Sequence, residues 1–284
     1  MDGGNFNMNM VALADTGQWR MIVTVSFSGI SAILRNVMYP GVNPVPLFRK
    51  DWVADESNIL DFVEAAVYDN PRLLDDFSTQ ILIYTAKSLW IPAELTEDEE
   101  YDEKFFTSVY PSRPEDIFAD FGDKEVCLYT LAPGLNSFFQ RTLPGCKIAS
   151  HISILKKEFQ KSELSFSHDF SNVVPFETIY INCRREDADF FAFQNGNFLS
   201  GVTHRWKSFS DIVYWALLLC KVYDLDPEEM RIVLLGDSSI TAGIGTAFSS
   251  FFLNVQEIRL PLISENYNLP LAAAIAAGDN IRFE

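Results

Sequence analysis

The chain has 284 residues, 48% of them hydrophobic and 21% charged, and a formal net charge of −17. That length favours two domains of ordinary size, and that composition excludes a disordered chain. The negative field excludes nucleic acid as a partner, because Arg184 with Arg185 and Lys156 with Lys157 are clusters too small to override it.

Residues 1–18 are rich in Asn, Met and Gly and are expected to be loosely held. Residues 19–35 predict a hairpin with Ser28 and Gly29 at its turn, where glycine tolerates a positive φ. Pro44 and Pro46 confine a third strand, over 45–53, to a sheet edge. Over 56–70, Ile59, Phe62, Val63, Ala66 and Val67 fall at helical spacing, and Pro71 closes the helix. The apolar run 79–91 reads as a strand. Thr96 and Glu99 have the spacing of a capping box. The acids around them fit a solvated helix start better than a site for a cation or a basic partner. A strand over 125–131, a short helix over 133–143, a strand over 146–151 and a helix over 152–161 follow. The stretch 162–174 is polar and Ser-rich and is taken as the inter-domain boundary, with a first half over 19–165 and a second over 166–284.

The second half opens with a strand over 177–183. Strands over 189–194 and 198–204 then flank Asn195-Gly196, a strong hairpin signal. Ser208 and Asp211 cap a helix whose Ile212, Trp215, Ala216, Leu219, Val222 and Tyr223 are expected to face inward. The continuous apolar strand 231–235 suits the middle of a parallel sheet and ends at Gly236-Asp237-Ser238-Ser239. A helix from Thr241 presents Ile244, Phe248, Phe251 and Phe252 on one side; a strand over 255–260 and a small-residue helix over 269–277 complete the order. Three strands are thus followed by helix, strand, helix, strand, helix, and the first half repeats that order.

Cys127, Cys146, Cys183 and Cys220 lie far apart within apolar elements and form no CxxC pair. Buried free thiols in a reducing compartment account for them, and with no apolar run near 18 residues no membrane span is expected. The setting this implies is the cytoplasm.

Duplicated units of this order resemble the actin-like ATPase superfamily, which includes actin, sugar kinases and large heat-shock chaperones. The chain is similar, from its Trp19-Arg20 opening through IPAEL and IVLLGDSS to LPLAAAIAAG, to a family of uncharacterised bacterial proteins assigned to that fold. The resemblance implies an α/β fold of two ribonuclease-H-like units, each a mixed five-stranded sheet with flanking helices. It also implies a nucleotide cleft between them, contacted by three loops. The first is matched by Ser26-Phe27-Ser28-Gly29, with Ser26 where active members carry an Asp that organises magnesium. The second should read Asp followed by glycines, and here it is Asn182-Cys183-Arg184-Arg185. The third, a Gly-Gly pair, is here Gly236-Asp237, followed by Ser238. These departures imply a non-catalytic protein that binds a protein partner of unknown identity, with a degenerate cleft and no cofactor. Replacing both arginines by glycine is then expected to leave stability nearly unchanged. The alternative is a divergent ATPase or phosphotransferase in which Asp237 or Asp187 holds magnesium with ATP.

LLGDSSITAG also looks like the first block of Gly-Asp-Ser hydrolases, with Ser238 as nucleophile. That chemistry needs a base, and none of His151, His168 and His204 follows the block, as it does in that family. The histidines have no metal-ligand spacing. Arg205-Trp206-Lys207 reads as a loop before a helix cap or a small basic surface. Asp187 and Asp189 are expected on a solvent face.

Overall fold

A computed structural model describes residues 16–39, 42–85, 87–96, 99–111, 117–169, 177–260 and 270–278. A 3-10 turn, Thr16–Gln18, leads into the hairpin of β1 (Trp19–Ser26) and β2 (Gly29–Asn36), followed by β3 (Val45–Asp51) and α1 (Ile59–Tyr68). The rest of the predicted N-terminal segment, residues 1–15, lies outside the described residues. Next come β4 (Ser78–Ile83), β5 (Ser88–Pro92), α2 (Glu99–Val109), β6 (Ile117–Phe121), β7 (Glu125–Thr130), α3 (Leu135–Thr142), β8 (Lys147–Ser150) and α4 (His151–Asp169). The second half comprises β9 (Glu177–Cys183), β10 (Asp187–Gln194), β11 (Asn197–Arg205), α5 (Phe209–Tyr223), β12 (Arg231–Gly236), α6 (Ser238–Phe248), β13 (Asn254–Glu257) and α7 (Leu271–Ala276).

The duplication is visible in the sheets. One five-stranded sheet has the order β3-β2-β1-β4-β8 and the other β11-β10-β9-β12-β13, so corresponding strands hold corresponding places. In each, the first three strands pair antiparallel and the next two add in parallel. Local chemistry sets this order. Asn195 and Gly196, at φ 52° and 75°, make the tight turn that the β10–β11 hairpin needs. Ser208 and Asp211 form a reciprocal capping box that starts α5. β3 is an edge strand, as its prolines require.

Several expectations are corrected. The run 79–91 is two strands, not one: Tyr84 still donates its N–H to Val25, but the Thr85 hydroxyl then accepts from the Lys87 N–H and turns the chain out of the sheet. β5 joins β7 and β6 in a three-stranded sheet covered by α2, so the first half carries an inserted unit with no counterpart among the described residues of the second. Residues 97 and 98 and the Glu99 side chain, on which the expected Thr96–Glu99 capping box depends, lie outside the described residues; the Thr96 hydroxyl donates to the Ala93 carbonyl at 2.8 Å. The Ser-rich stretch is helical as far as Asp169, because α4 continues along the second sheet. Cys220, not Val222, completes the buried stripe of α5, and Val222 is exposed.

The core crosses between the halves. Phe159 of α4 stacks on Tyr180 of β9 at 4.3 Å and meets Phe191 edge-on at 5.0 Å. Each such fully buried aromatic contributes about 1.5–3 kcal/mol. In return, α7 packs among the first-half residues, and Arg35 donates to the Ala276 carbonyl at 3.1 Å. A second core lies under α5 and α6, and a small third one, around Phe106, supports the inserted sheet. All four cysteines are buried free thiols.

Candidate functional site

In open α/β sheets ligands sit beyond the carboxyl ends of the parallel strands, where the order of connection reverses. Here those ends bring together the β1–β2 turn, the end of β4, the start of α4, the β9–β10 turn and the start of α6.

The β1–β2 turn is closed on itself. The Ser26 hydroxyl accepts from the Ser28 N–H at 3.2 Å and donates to the Gly29 carbonyl at 3.1 Å. The segment after β3 occupies the turn's carbonyls: the Trp52 indole donates to Ser26 and its backbone N–H to Ser28, while Ala54 N–H reaches Phe27. The turn therefore offers neutral hydroxyls, with its Ser28 N–H already bonded.

The centre of the site is a carboxylate. Asn182, Asp189 and Thr203 are direct cross-strand neighbours on β9, β10 and β11, and make a polar row on the face that meets the first half. Asp189 has no exposure, contrary to its expected place on a solvent face. Its Oδ1 accepts from Arg184 Nη2 at 2.7 Å, Thr203 at 2.8 Å and His151 Nε2 at 3.1 Å; its Oδ2 accepts from Asn182 at 2.8 Å and Arg184 Nε at 3.2 Å. Burial alone would raise the Asp189 carboxyl, but Arg184 and then His151 hold it well below the usual carboxylate range.

The first half supplies the other wall. His151 is the first residue of α4, and its Nδ1 lies 3.2 Å from the Ile83 carbonyl at the end of β4. Tyr84 stacks on its ring at 4.3 Å, and the Arg184 guanidinium sits over the Tyr84 ring at 5.2 Å. Arg184 is thus held between an aromatic face and a carboxylate, and its two-pronged donor set is engaged by Asp189. Arg185, its neighbour, is exposed. The geometry revises the expectation for the arginine pair: Arg184 neutralises a buried charge, so its replacement by glycine costs stability.

Gly236 has φ 104°, and a Cβ there would lie 2.2 Å from the Cys183 carbonyl. This glycine is required by the approach of β12 to β9. The Asp237 carboxylate accepts from the Ser239 N–H and hydroxyl at 2.9 and 2.6 Å and caps α6, which starts at Ser238, three residues before the predicted Thr241. The Ser238 side chain lies outside the described residues. Asp187 lies 3.7 Å from Arg184 and 3.8 Å from Arg205. Trp206 donates to the Arg184 carbonyl at 2.9 Å, so the Arg205-Trp206-Lys207 stretch braces the β9–β10 turn. His204 stacks on Trp215 at 3.7 Å. The His168 side chain is outside the described residues. Among the described residues no group of three or more His, Cys, Asp or Glu side chains could hold a metal ion.

This arrangement makes stability acid-sensitive in two steps. Burial, offset in part by Asp189, lowers the His151 pKa below its ordinary value. As pH falls below about 6.5 the unfolded chain therefore takes up a proton before the native state does, and stability drops. His204, lowered by burial, acts with the same sign. Asp189, depressed in the folded state, adds a second loss that begins as pH falls through about 4, the unfolded value. Asp120, Glu163 and Asp187, raised by burial, act with the opposite sign, so the His151 contribution is read by comparison: from pH 7 to pH 5 His151→Gln is expected to lose less melting temperature, or gain more, than the native chain. Parallel profiles for the two proteins over that range would contradict the assignment.

A family model described as "Protein of unknown function (DUF3822)" matches residues 45–255. No curated protein matches the sequence. Among solved structures, the chain is similar to a Bacteroides thetaiotaomicron protein described as having an actin-like ATPase fold and unknown function. The TM-score is 0.75 at 19% identity, over 95% of this chain and 98% of the other. It is also similar to a chain of the PilM–PilN type IV pilus biogenesis complex, with TM-score 0.51 at 9% identity, over 93% of this chain and 99% of the other. The fold is that of the actin-like ATPases, as the duplicated order implied. Among the described residues no helix is long and apolar enough to cross a membrane.

Proposed function

The chain belongs to the DUF3822 family and has the actin-like ATPase fold; from that premise we propose that it is a non-catalytic member of this fold that works by binding a protein partner. One observation carries the reading. At the position matched to the second phosphate loop, the Arg184 fork is engaged by a buried carboxylate of the same chain, at 2.7 and 3.2 Å. A phosphate there would compete with Asp189 for the same donors and would meet the Asp189 charge. The first-loop position supports the same reading, because Ser26 supplies a hydroxyl bonded within its own turn instead of a carboxylate that could order magnesium through water. A similar fold occurs in a complex of two proteins, PilM with PilN, which gives a partner-binding use of it a precedent. Buried free thiols fit a reducing compartment, and the reading sets the protein in the cytoplasm.

The alternative, a divergent ATPase or phosphotransferase, would draw on Asp237 or Asp187, which cap α6 and lie beside two arginines respectively. Calorimetric titration with ATP and magnesium is expected to show no saturable heat, and a phosphate-release assay no turnover. Magnesium-dependent binding accompanied by phosphate release would overturn the proposal in favour of the enzyme.

A further inference from the structure

The second half presents a layer whose outer side neither core uses. α5 and α6 lie side by side over the second core, where a Cβ on Gly243 of α6 would meet the Phe209 ring of α5 at 2.6 Å. Ile212, Val213, Ala216 and Cys220 are buried, which settles the side of α5 that faces the sheet. Tyr214, Leu218 and Val222 follow one another by four residues on the opposite side. Leu218 is half-buried, and the outer two are 58% and 62% exposed. An apolar stripe thus runs along the solvent side of a helix about 22 Å long. Single apolar residues on a surface need no explanation, but three in line along one helix do.

Charge is missing from the same layer. The chain is 21% charged, yet α5 holds only Asp211 and Lys221, and residues 238–256, which include all of α6, hold none. Asp211 and Lys221 share the outward side of α5 with the stripe, one in its first turn and one in its last. The Asp211 carboxylate accepts from the Lys207 and Ser208 N–H groups at 2.8 and 3.0 Å, and these bonds hold its pKa below the ordinary value, so it is an anion at neutral pH. Lys221 is exposed. The two helices are therefore neutral together, in a chain of net −17.

That pattern selects among occupants. A basic segment finds no acidic surround, and a lipid surface finds no row of cations beside the stripe. A second copy finds its own complement. In an antiparallel pair of α5 helices with the twofold axis level with residue 216, Tyr214 comes opposite Leu218 of the second copy. Asp211 comes opposite Lys221 of the second copy, and the symmetry makes each pairing twice. Two chains of like charge repel through their other surfaces, so they meet best where no uncompensated acids face each other.

We propose that α5 is the seam of a symmetric homodimer, with Tyr214, Leu218 and Val222 buried between the two copies and Asp211 paired across the axis with Lys221. Ala188 and Phe190 belong to the core beneath α5, so Asp189, between them on the strand, lies on the opposite face of the sheet. The dimer therefore leaves the site around Asp189 uncovered. It goes beyond the non-catalytic reading and is independent of it.

Sedimentation velocity of the full chain over about 1–200 μM reads the assembly. A reversible monomer–dimer equilibrium is expected, at least about tenfold weaker in Tyr214→Ser/Val222→Ser, whose exposed positions should leave far-UV circular dichroism unchanged. Lys221→Glu tests the charge without touching the stripe. It sets like charges opposite each other and should weaken the dimer, whereas Lys221→Arg should keep it. Phe105→Ser, at an exposed apolar position of α2, should leave association unchanged. A native chain that stays monomeric throughout overturns the proposal, as does a dimer formed as readily by Tyr214→Ser/Val222→Ser or by Lys221→Glu. So does a monomer that pellets with phosphatidylcholine vesicles unless Tyr214 and Val222 are replaced, which would assign the layer to a membrane. Turnover of ATP with magnesium in the same preparation bears only on the non-catalytic reading, so the two can fail separately.

Discussion

Asp189→Asn is expected to lower the unfolding free energy by about 3–5 kcal/mol, among the largest losses any single polar substitution in this chain would produce. The side chain is fully buried and takes five hydrogen bonds, two of them from a guanidinium that is itself largely enclosed. An amide of the same size keeps the volume but removes the charge that balances Arg184. It also presents an NH₂ group where a donor already points. Thr203→Val removes a single neutral donor and should cost only about 1 kcal/mol. Arg184→Gln and Asp189→Asn together should lose less than the sum of the two, by roughly 1–3 kcal/mol, because each orphans the other. Urea unfolding followed by circular dichroism reads all four values. A loss below about 1 kcal/mol for Asp189→Asn would mean that the carboxylate is solvated or protonated in the folded protein.

Gly236→Ala is expected to cost roughly 3–5 kcal/mol, from a left-handed backbone that alanine resists and from direct overlap with the Cys183 carbonyl. The overlap cannot be relieved by a side-chain rotation, because the obstructing atom is backbone in the neighbouring central strand. The Asp237 N–H bonds that same carbonyl at 3.1 Å, so parting the strands would also break a hydrogen bond. Gly245, on α6, is the control: an added Cβ meets nothing within 4 Å, and Gly245→Ala should stabilise by about 0.5–1 kcal/mol. If both alanines behaved alike, the close approach at Gly236 would be disproved. The same pair separates a structural glycine from one kept for a ligand, since the Gly236 requirement is met entirely within the protein.

Features decided by neighbouring residues were legible in the sequence. Asn195-Gly196, the Ser208–Asp211 cap and the limits of β9 needed only local chemistry, and the repeated order of elements followed from strands and helices of ordinary length. The inserted sheet was not legible, because Tyr84 and Thr85 are as acceptable in a strand as at the turn that splits it. The length of α4 was hidden for another reason. Its polar second half is held by contacts far off in sequence, such as Glu163 accepting from the Tyr180 hydroxyl at 2.7 Å and pairing with Arg231 at 3.0 Å. Asp189 could have been found. On a strand, residues two apart share a face, and Phe191 and Phe193 follow Asp189 on its own side. A solvent face would not carry two such phenylalanines, so the carboxylate had to be buried and needed a cation. Arg184 was the basic residue in reach; His151, from the other half, left no signal in sequence.

The exchange of helices between the halves also sets the timetable of synthesis. The core around β1 and β4 stays open on one side until residues 271–277 have been translated, after every strand of the second sheet. The first half must therefore emerge from the ribosome with apolar surface uncovered until that helix arrives. Acidic residues on that nascent portion would keep it dispersed in the meantime, a use for charge that precedes any encounter with a partner.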